Sequence, residues 1–476
     1  MARLPLPLHS YQLRSDDASP SRLVNCFPEL MPAGARSQVY LQRTYGTDPW
    51  ATVGDGPIVA THKAQLDFGD GQGAVERVYV VSGRFAYEIL EDKTVTQIGE
   101  VGTPKRVDID SDDENVVFVN EPRAWAWDGV NFTEIENVNF NTRGAADVEF
   151  LEGFVLFREP NSDRFFGARY RDVTSFDALD FAATDFDADT LVGLATIQRN
   201  AVLFGRETTE LYENVGGSAF PFARNINGTI EVGLLASDLW ARTFDQLYMV
   251  ASDRTVRRLD GIQPTRISTH AVEQFLSSLT NLQIERGEAW GYTQDGHHFF
   301  GLNFETGTFV YDVSTGEWAE RESYGFPRWR WSNCLEAWNK VFAFGVASNK
   351  MAELNPDVYT EDATPNIQVA QWTYQTIYAD SVAAFHHRFE IDMKVGLGAT
   401  TGEFSDPQIT LEFSDDGGET WHKAPVQSLG LKGKRRQRIV WHNLGQSEER
   451  VYRCTVSDPV PVYVYGTFVE AEGGSL

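Results

Sequence analysis

Between Glu390 and Val469 apolar and polar positions alternate with a period of two, interrupted by tight-turn residues. Ile409-Thr410-Leu411-Glu412-Phe413 runs into Ser414-Asp415-Asp416-Gly417-Gly418, and further alternating runs follow at 436–441, 451–456 and 460–464. Alternation bounded by Asp-Gly and Asp-Pro predicts antiparallel strands with one apolar face, which a second layer must cover. Residues 1–60 offer that layer. Leu4-Pro5-Leu6-Pro7-Leu8 and Ser21-Arg22-Leu23-Val24-Asn25-Cys26-Phe27-Pro28-Glu29 exclude helix, because proline lacks the amide donor, and favour extended backbone.

From about residue 75 to 360 another theme recurs: a hydrophobic strand, a polar turn, a second strand with an aromatic, then a Gly or Asp turn. Examples are 78–81 before 85–89, 116–119 before 124–129, 201–204 before 210–212 and 340–344 before 351–354. Spacings of roughly 30–50 residues are those of propeller blades. Seven such pairs, with the first and last sharing a blade to close the ring, predict six blades, with seven as the alternative. The predicted fold is mainly β: a β-propeller over 75–360 inserted into a β-sandwich-like module made of 1–60 and 367–470. A polar run at 360–366, with Pro365, marks the exit from the propeller. Only 270–276 reads as helix, with Val272, Phe275 and Leu276 on one face and Thr269 as N-cap.

A formal charge of −27 over 476 residues argues against wrapping nucleic acid by phosphate neutralisation. No apolar run approaches the roughly 20 residues of a membrane span, and residues 1–14 lack a signal-peptide core. Cys26, Cys334 and Cys454 are widely spaced and odd in number, which predicts buried thiols and a reducing compartment. The absence of phosphate-loop, dinucleotide, nucleophile-elbow and CxxC signatures lowers the prospect of catalysis, and no cofactor or metal is expected.

Three constellations stand out as candidate sites. Ser414, Asp416, Gly418, Thr420 and Trp421 fit an Asp box, a structural turn in which the carboxylate takes backbone amides. Lys432, Lys434, Arg435, Arg436 and Arg438 are the one dense basic run in an acidic chain, and are read as a subunit or partner contact. Arg328-Trp329-Arg330-Trp331 is balanced between interface contact and cation–π packing inside the propeller. Acid predominates from 101 to 190, with 20 acidic against 8 basic residues. Within it Asp108, Asp110, Asp112, Asp113, Asp185, Asp187 and Asp189 form a solvated acidic face or, more sharply, the wall of a passage for DNA. The pairs His297-His298 and His386-His387 read as ordinary strand residues, since strand neighbours point to opposite faces.

The N-terminal Arg22, Asn25, Pro28 and Glu29 resemble the R-x-x-N-x-x-P-E opening of packaged-DNA stabilisation proteins of short-tailed phages. The Ser-Asp-Asp-Gly turn, the run 435–445 and Ser457-Asp458-Pro459-Val460-Pro461-Val462 are also similar to theirs, in the same order. The resemblance implies a non-enzymatic tail nozzle in the virion, assembled in the host cytoplasm. It implies six copies in a ring below the head–tail adaptor, meeting tail fibre, spike or needle proteins. Packaged double-stranded DNA would pass through the lumen without sequence-specific binding. A like-charged lumen would let a polyanion slide. The rival reading is a receptor-binding or glycan-cleaving propeller, prompted by the Asp box.

Overall fold

The computed structural model describes residues 2–12, 19–68, 73–103, 106–184, 189–216, 220–261, 263–362, 366–378 and 383–473. Strands dominate, because the chain alternates β-branched and aromatic residues with polar ones between Gly- and Asp-rich turns. Successive four-stranded antiparallel units occupy 58–100, 108–134, 147–183, 191–230, 240–266 and 288–320. The last unit combines 331–355 with the strand Gly46–Thr52 from the N-terminal segment, paired from Lys350↔Thr52 to Asn355↔Gly46. A strand from near the start thus completes the final blade, which removes the open edge.

Six of these units are free-standing four-stranded sheets, in keeping with the six blades predicted. The 288–320 unit is a meander of the same kind, but its outer strand Glu317–Glu320 continues into the terminal module. Including it, the ring of innermost strands has seven places, the alternative count. The expected propeller boundary at 75 moves back to 46. The Gly54-Asp55-Gly56-Pro57 loop joins the outer strand of the last blade to the inner strand Ile58–Leu66 of the first.

The terminal module has two layers. In one, Cys26–Leu30, Val39–Arg43, Tyr463–Gly473, Ala384–Met393 and Ile439–His442 lie side by side, with Ala2–Leu4 added on Tyr463–Gly473. In the other, Pro20–Val24, Ala370–Thr373, Glu449–Val456 and Gln408–Ser414 extend the 288–320 blade outward. Leu23, Cys26, Trp372, Tyr374, Phe389, Trp441, Tyr452 and Cys454 fill the space between the layers. The predicted strand at 436–441 is shorter and later, Ile439–His442, because 432–438 bulges out as a loop. The predicted exit residue Pro365 lies outside the described residues.

Thr269 caps the helix His270–Ser278, as its sequence predicts. Two shorter helices, Val138–Arg143 and Asn281–Glu285, went unpredicted. At six and five residues they are too brief for a 3.6-residue period to register.

Candidate joint and contact surfaces

The N-terminal motif sits where propeller and terminal module meet. Arg22 forks onto Glu320 at 2.9 and 2.6 Å and also holds Glu322, both beyond the outer strand of the 288–320 blade or at its end. Three residues on, Asn25 is fully buried in the left-handed conformation (φ 53°). Its amide donates to the carbonyls of Glu322 (2.9 Å) and Val369 (2.7 Å), its side-chain oxygen accepts from Glu322 N, and its own N–H reaches Glu320 O. Asparagine tolerates this backbone and carries both donor and acceptor, so one side chain ties three chain segments.

Glu29 completes the motif. Its carboxylate meets His297 Nε2 at 2.6 Å, and Asp312 takes Nδ1 at 2.7 Å. Burial alone would lower the His297 pKa, but the two carboxylates outweigh it and raise it to about 9. His297 is therefore a buried imidazolium pinning the propeller to the module, and not the ordinary strand residue expected. His386 fits that expectation better. It is buried between Tyr452 (2.9 Å) and Ser447 (3.1 Å), and burial, with Arg450 nearby, lowers it to about 4, so it stays neutral.

At the propeller centre, polar inner strands exchange charge across the ring. Arg106 bonds Asp147 of the 147–183 blade and Asp238, next to the 240–266 blade. Arg242 of the 240–266 blade reaches Glu149 of the 147–183 blade, with Thr196 of the blade between them bonding both, at 2.8 Å to Glu149 and 3.0 Å to Arg242. Asp147 also holds Arg158. Burial pushes the carboxyls of Asp108 and Glu149 upward, against the pull of Arg106 and Arg242. Nothing in the spacing of Arg106, Glu149 and Arg242 advertises this network.

The acidic candidates divide accordingly. Asp108 and Asp110 accept Val148 N (3.0 Å) and Phe150 N (2.6 Å), stitching one blade to the next rather than facing an open passage. Asp112 accepts Glu114 N and Asn115 N in a hairpin turn, and Asp113 is 3.6 Å from Arg171. Asp189 caps a loop through Glu207 N (2.6 Å) and Thr208 N (3.0 Å). Asp108, Asp110, Asp112 and Asp189 thus serve backbone amides, whereas Asp113 stays exposed beside Arg171. Asp185 and Asp187 lie outside the described residues.

The Asp box closes as a turn. Ser414 Oγ donates to Asp416 at 2.6 Å and accepts Gly418 N at 2.8 Å, and both Asp416 oxygens accept Thr420 N. These bonds hold the Asp416 carboxyl below the usual range, Ser414 and Thr420 leading. Gly418, at φ 111°, supplies a conformation that a side chain resists. Trp421 lies against Gly418 on one side, and the Arg453 guanidinium stacks 3.8 Å from its ring.

The two tryptophans of Arg328-Trp329-Arg330-Trp331 are core residues, each 1 % exposed, so they cannot be contact residues. Trp329 donates to Glu361 at 3.0 Å, and the cation over its ring is Arg321, at 4.8 Å. Arg330 lies over Phe326, while Arg328 stays partly exposed. In the basic run Lys432 reaches Thr400 and Arg438 pairs with Glu390 at 3.2 Å. Lys434, Arg435 and Arg436 are exposed, with no ion pair among the described residues. Cys26 and Cys454 are buried and Cys334 is partly so; burial raises all three thiols, which are unpaired. Among the described residues no group of His, Cys, Asp or Glu is arranged to hold a metal ion, and no helix is long and apolar enough to cross a membrane.

Solved structures of similar shape are distant in sequence. The computationally designed Ika8 protein is 11 % identical and covers 74 % of this chain and all of its own, at a TM-score of 0.40. BBS1N in complex with ARL6DN is 10 % identical over 66 % of this chain and 97 % of its own, at 0.43. Raptor of Chaetomium thermophilum is 8 % identical over 66 % of this chain and 29 % of its own, at 0.41. At these scores the likenesses carry no functional argument. No curated protein sequence matches the chain. Family models do. That of the Bacteriophage P22 Gp10 β-propeller matches residues 5–359, and that of the Bacteriophage P22 Gp10 β-sandwich matches 371–472. With both matches in order and nearly the whole length covered, the chain belongs to the Gp10 phage-stabilisation family, non-catalytic structural proteins of the phage tail.

Proposed function

We propose that this chain is the nozzle of a short phage tail: six copies form a ring below the head–tail adaptor, surround the DNA passage and retain the packaged genome until ejection. Fibre, spike or needle proteins attach to the same ring, which assembles in the host cytoplasm. The observation that carries this reading is the continuous sheet running from the 288–320 blade into the terminal module. A sheet that crosses a domain boundary, locked by Arg22, Asn25 and the Glu29–His297–Asp312 triad, makes propeller and module one stiff body. A ring under internal pressure needs such a subunit.

The passage lies between copies and not through the propeller, because Arg106 and Arg242 cross the propeller's own centre. The formal charge of −27 per copy keeps the ring from gripping a polyanion. The test is mass measurement of the purified full-length chain with negative-stain imaging. Six copies around an opening is the expected result; a monomer, or a trimer without an opening, overturns it.

A further inference from the structure

One mouth of the propeller's centre holds a cavity of about 240 Å³. It is lined by segments that begin at 59, 106, 237, 288 and 333, one from each of five blades, at or near the starts of their inner strands.

Glu288 is the group on this wall that nothing answers. Its Oε2 is shut off from solvent and has no hydrogen-bond partner among the described residues. Ser332, on the inner strand of the next blade and 1 % exposed, is the nearest polar side chain to act on it, and its Oγ is also without a partner. Burial raises the Glu288 carboxyl, Asp238 adds to the rise, and Ser332 and the field of Arg328 draw it down. A buried carboxylate with no donor is costly, so the protein groups alone leave this site incomplete.

The cations nearby do not supply the missing partner. Arg106 is held by Asp147 and Asp238, and Arg158 by Asp147. Arg242, whose guanidinium lies 5.6 Å from the centre of the Trp240 ring, is held by Glu149. His62 meets Ser111 Oγ at 2.9 Å, and burial lowers its pKa, so it stays neutral. Arg328 reaches Glu288 only through its field. Among the described residues the centre thus sets Asp108, Asp110, Asp147, Glu149, Asp238 and Glu288 against Arg106, Arg158, Arg242 and Arg328, an excess of carboxylates. Of these carboxylates Glu288 alone has neither an ion pair nor an amide donor.

The wall also decides between kinds of cation. The described carboxylates do not converge as a coordinated metal requires. A single carboxylate beside Val59, Val107, Ala289 and Trp240 suits an ammonium head on an aliphatic stem, since three N–H donors need few acceptors and the stem needs an apolar wall.

We propose that this cavity binds a small aliphatic primary amine, whose ammonium group pairs with the Glu288 carboxylate and whose stem lies against the apolar wall. The site is independent of the ring reading, because it lies within one copy.

Isothermal titration calorimetry of the full-length chain in about 0.15 M salt, which screens exposed carboxylates, tests it with butylamine. A single butylamine binds per chain, and neither butanol nor magnesium chloride displaces it. Glu288→Gln keeps the shape, removes the charge and weakens binding by about tenfold. Asp113→Asn, at an exposed carboxylate elsewhere, leaves binding unchanged. Thr61→Phe fills the cavity with every carboxylate in place and abolishes binding. Butylamine raises the melting temperature of the wild type and not that of Glu288→Gln. The proposal is overturned if the wild type binds no butylamine, if butanol or magnesium displaces it, or if a folded Glu288→Gln binds it equally well. Should Glu288→Gln not fold, undiminished binding by Thr61→Phe overturns it.

Discussion

Nε2 of His297 lies 2.6 Å from Oε2 of Glu29, joining a blade strand to a strand of the terminal module. With Asp312 on the other nitrogen, the ring is held as a cation inside the protein.

That pair predicts a pH dependence. The folded pKa of about 9 lies above the ordinary value of 6.5, so the protonated form is favoured by folding. The stabilisation is complete below about pH 6.5 and is lost as pH rises through 9, on the order of 2–3 kcal/mol in all. Melting temperature falls more steeply between pH 7 and 9.5 in the wild type than in His297→Gln, which is less stable at pH 6.5. His386 has the opposite sign. Its folded pKa, near 4, makes its contribution present above 6.5 and lost as pH falls through 4, and His386→Gln flattens the acid limb of the same profile.

At the propeller centre, Arg242→Ala leaves the carboxylate of Glu149 without its cation. Glu149 is buried but the Arg242 side chain is 44 % exposed, so solvent screens the pair and removing the arginine costs about 1–2 kcal/mol, whereas replacing both by apolar groups of similar size is near neutral. Arg242→Ala therefore melts early in denaturant titration, and Arg242→Met/Glu149→Met recovers most of the loss. A double variant as unstable as the single one would show that Arg242 acts through something other than Glu149.

Asn25→Ala removes the side-chain amide that serves Glu322 and Val369 and places a β-carbon residue without a polar side chain at φ 53°. Unsatisfied buried carbonyls and an unfavourable backbone together cost about 2–4 kcal/mol. Hydrogen exchange localises the damage: amides at 322–323 and 369–371 lose protection first, ahead of distant blades such as 147–183.

Trp329→Ala and the basic-loop variants separate folding from contact. Truncating a fully buried tryptophan costs about 3–5 kcal/mol and lowers the melting temperature of each subunit. Charge reversal at Lys434, Arg435 and Arg436, all exposed, leaves the melting temperature within the scatter of surface substitutions, about 0.5 kcal/mol.

The strands, the propeller repeat and the two-part terminal module were legible because alternation reports which face is buried. The capped helix at 270–278 was legible for the same reason at its own period. The blade strand Gly46–Thr52 was hidden by Pro49, and by a Gly-rich loop that mimics a linker. Asn25 and Glu29 were visible only as a motif. Their partners Glu322, Val369 and His297 lie hundreds of positions away, and no local pattern encodes such a distance. Composition counts the carboxylates of the acid-rich stretch without showing that Asp110 and Asp189 accept backbone amides. Trp329 and Trp331 stayed undecided between core and contact because arginine beside tryptophan looks the same in a core and on a surface.

The strand Gly46–Thr52 waits for 350–355, and Val39–Arg43 waits for Tyr463 and Val464. Val39–Arg43 can pair early with Cys26–Leu30, but its other edge and the whole of Gly46–Thr52 stay unpaired until those distant residues have been made. The last blade therefore cannot close before 350–355 exist, nor the terminal sheet before 463–464. Long-range closure of this kind slows folding, and it makes both the propeller and the module depend on one early stretch of chain, so damage at 39–52 reaches the two domains together.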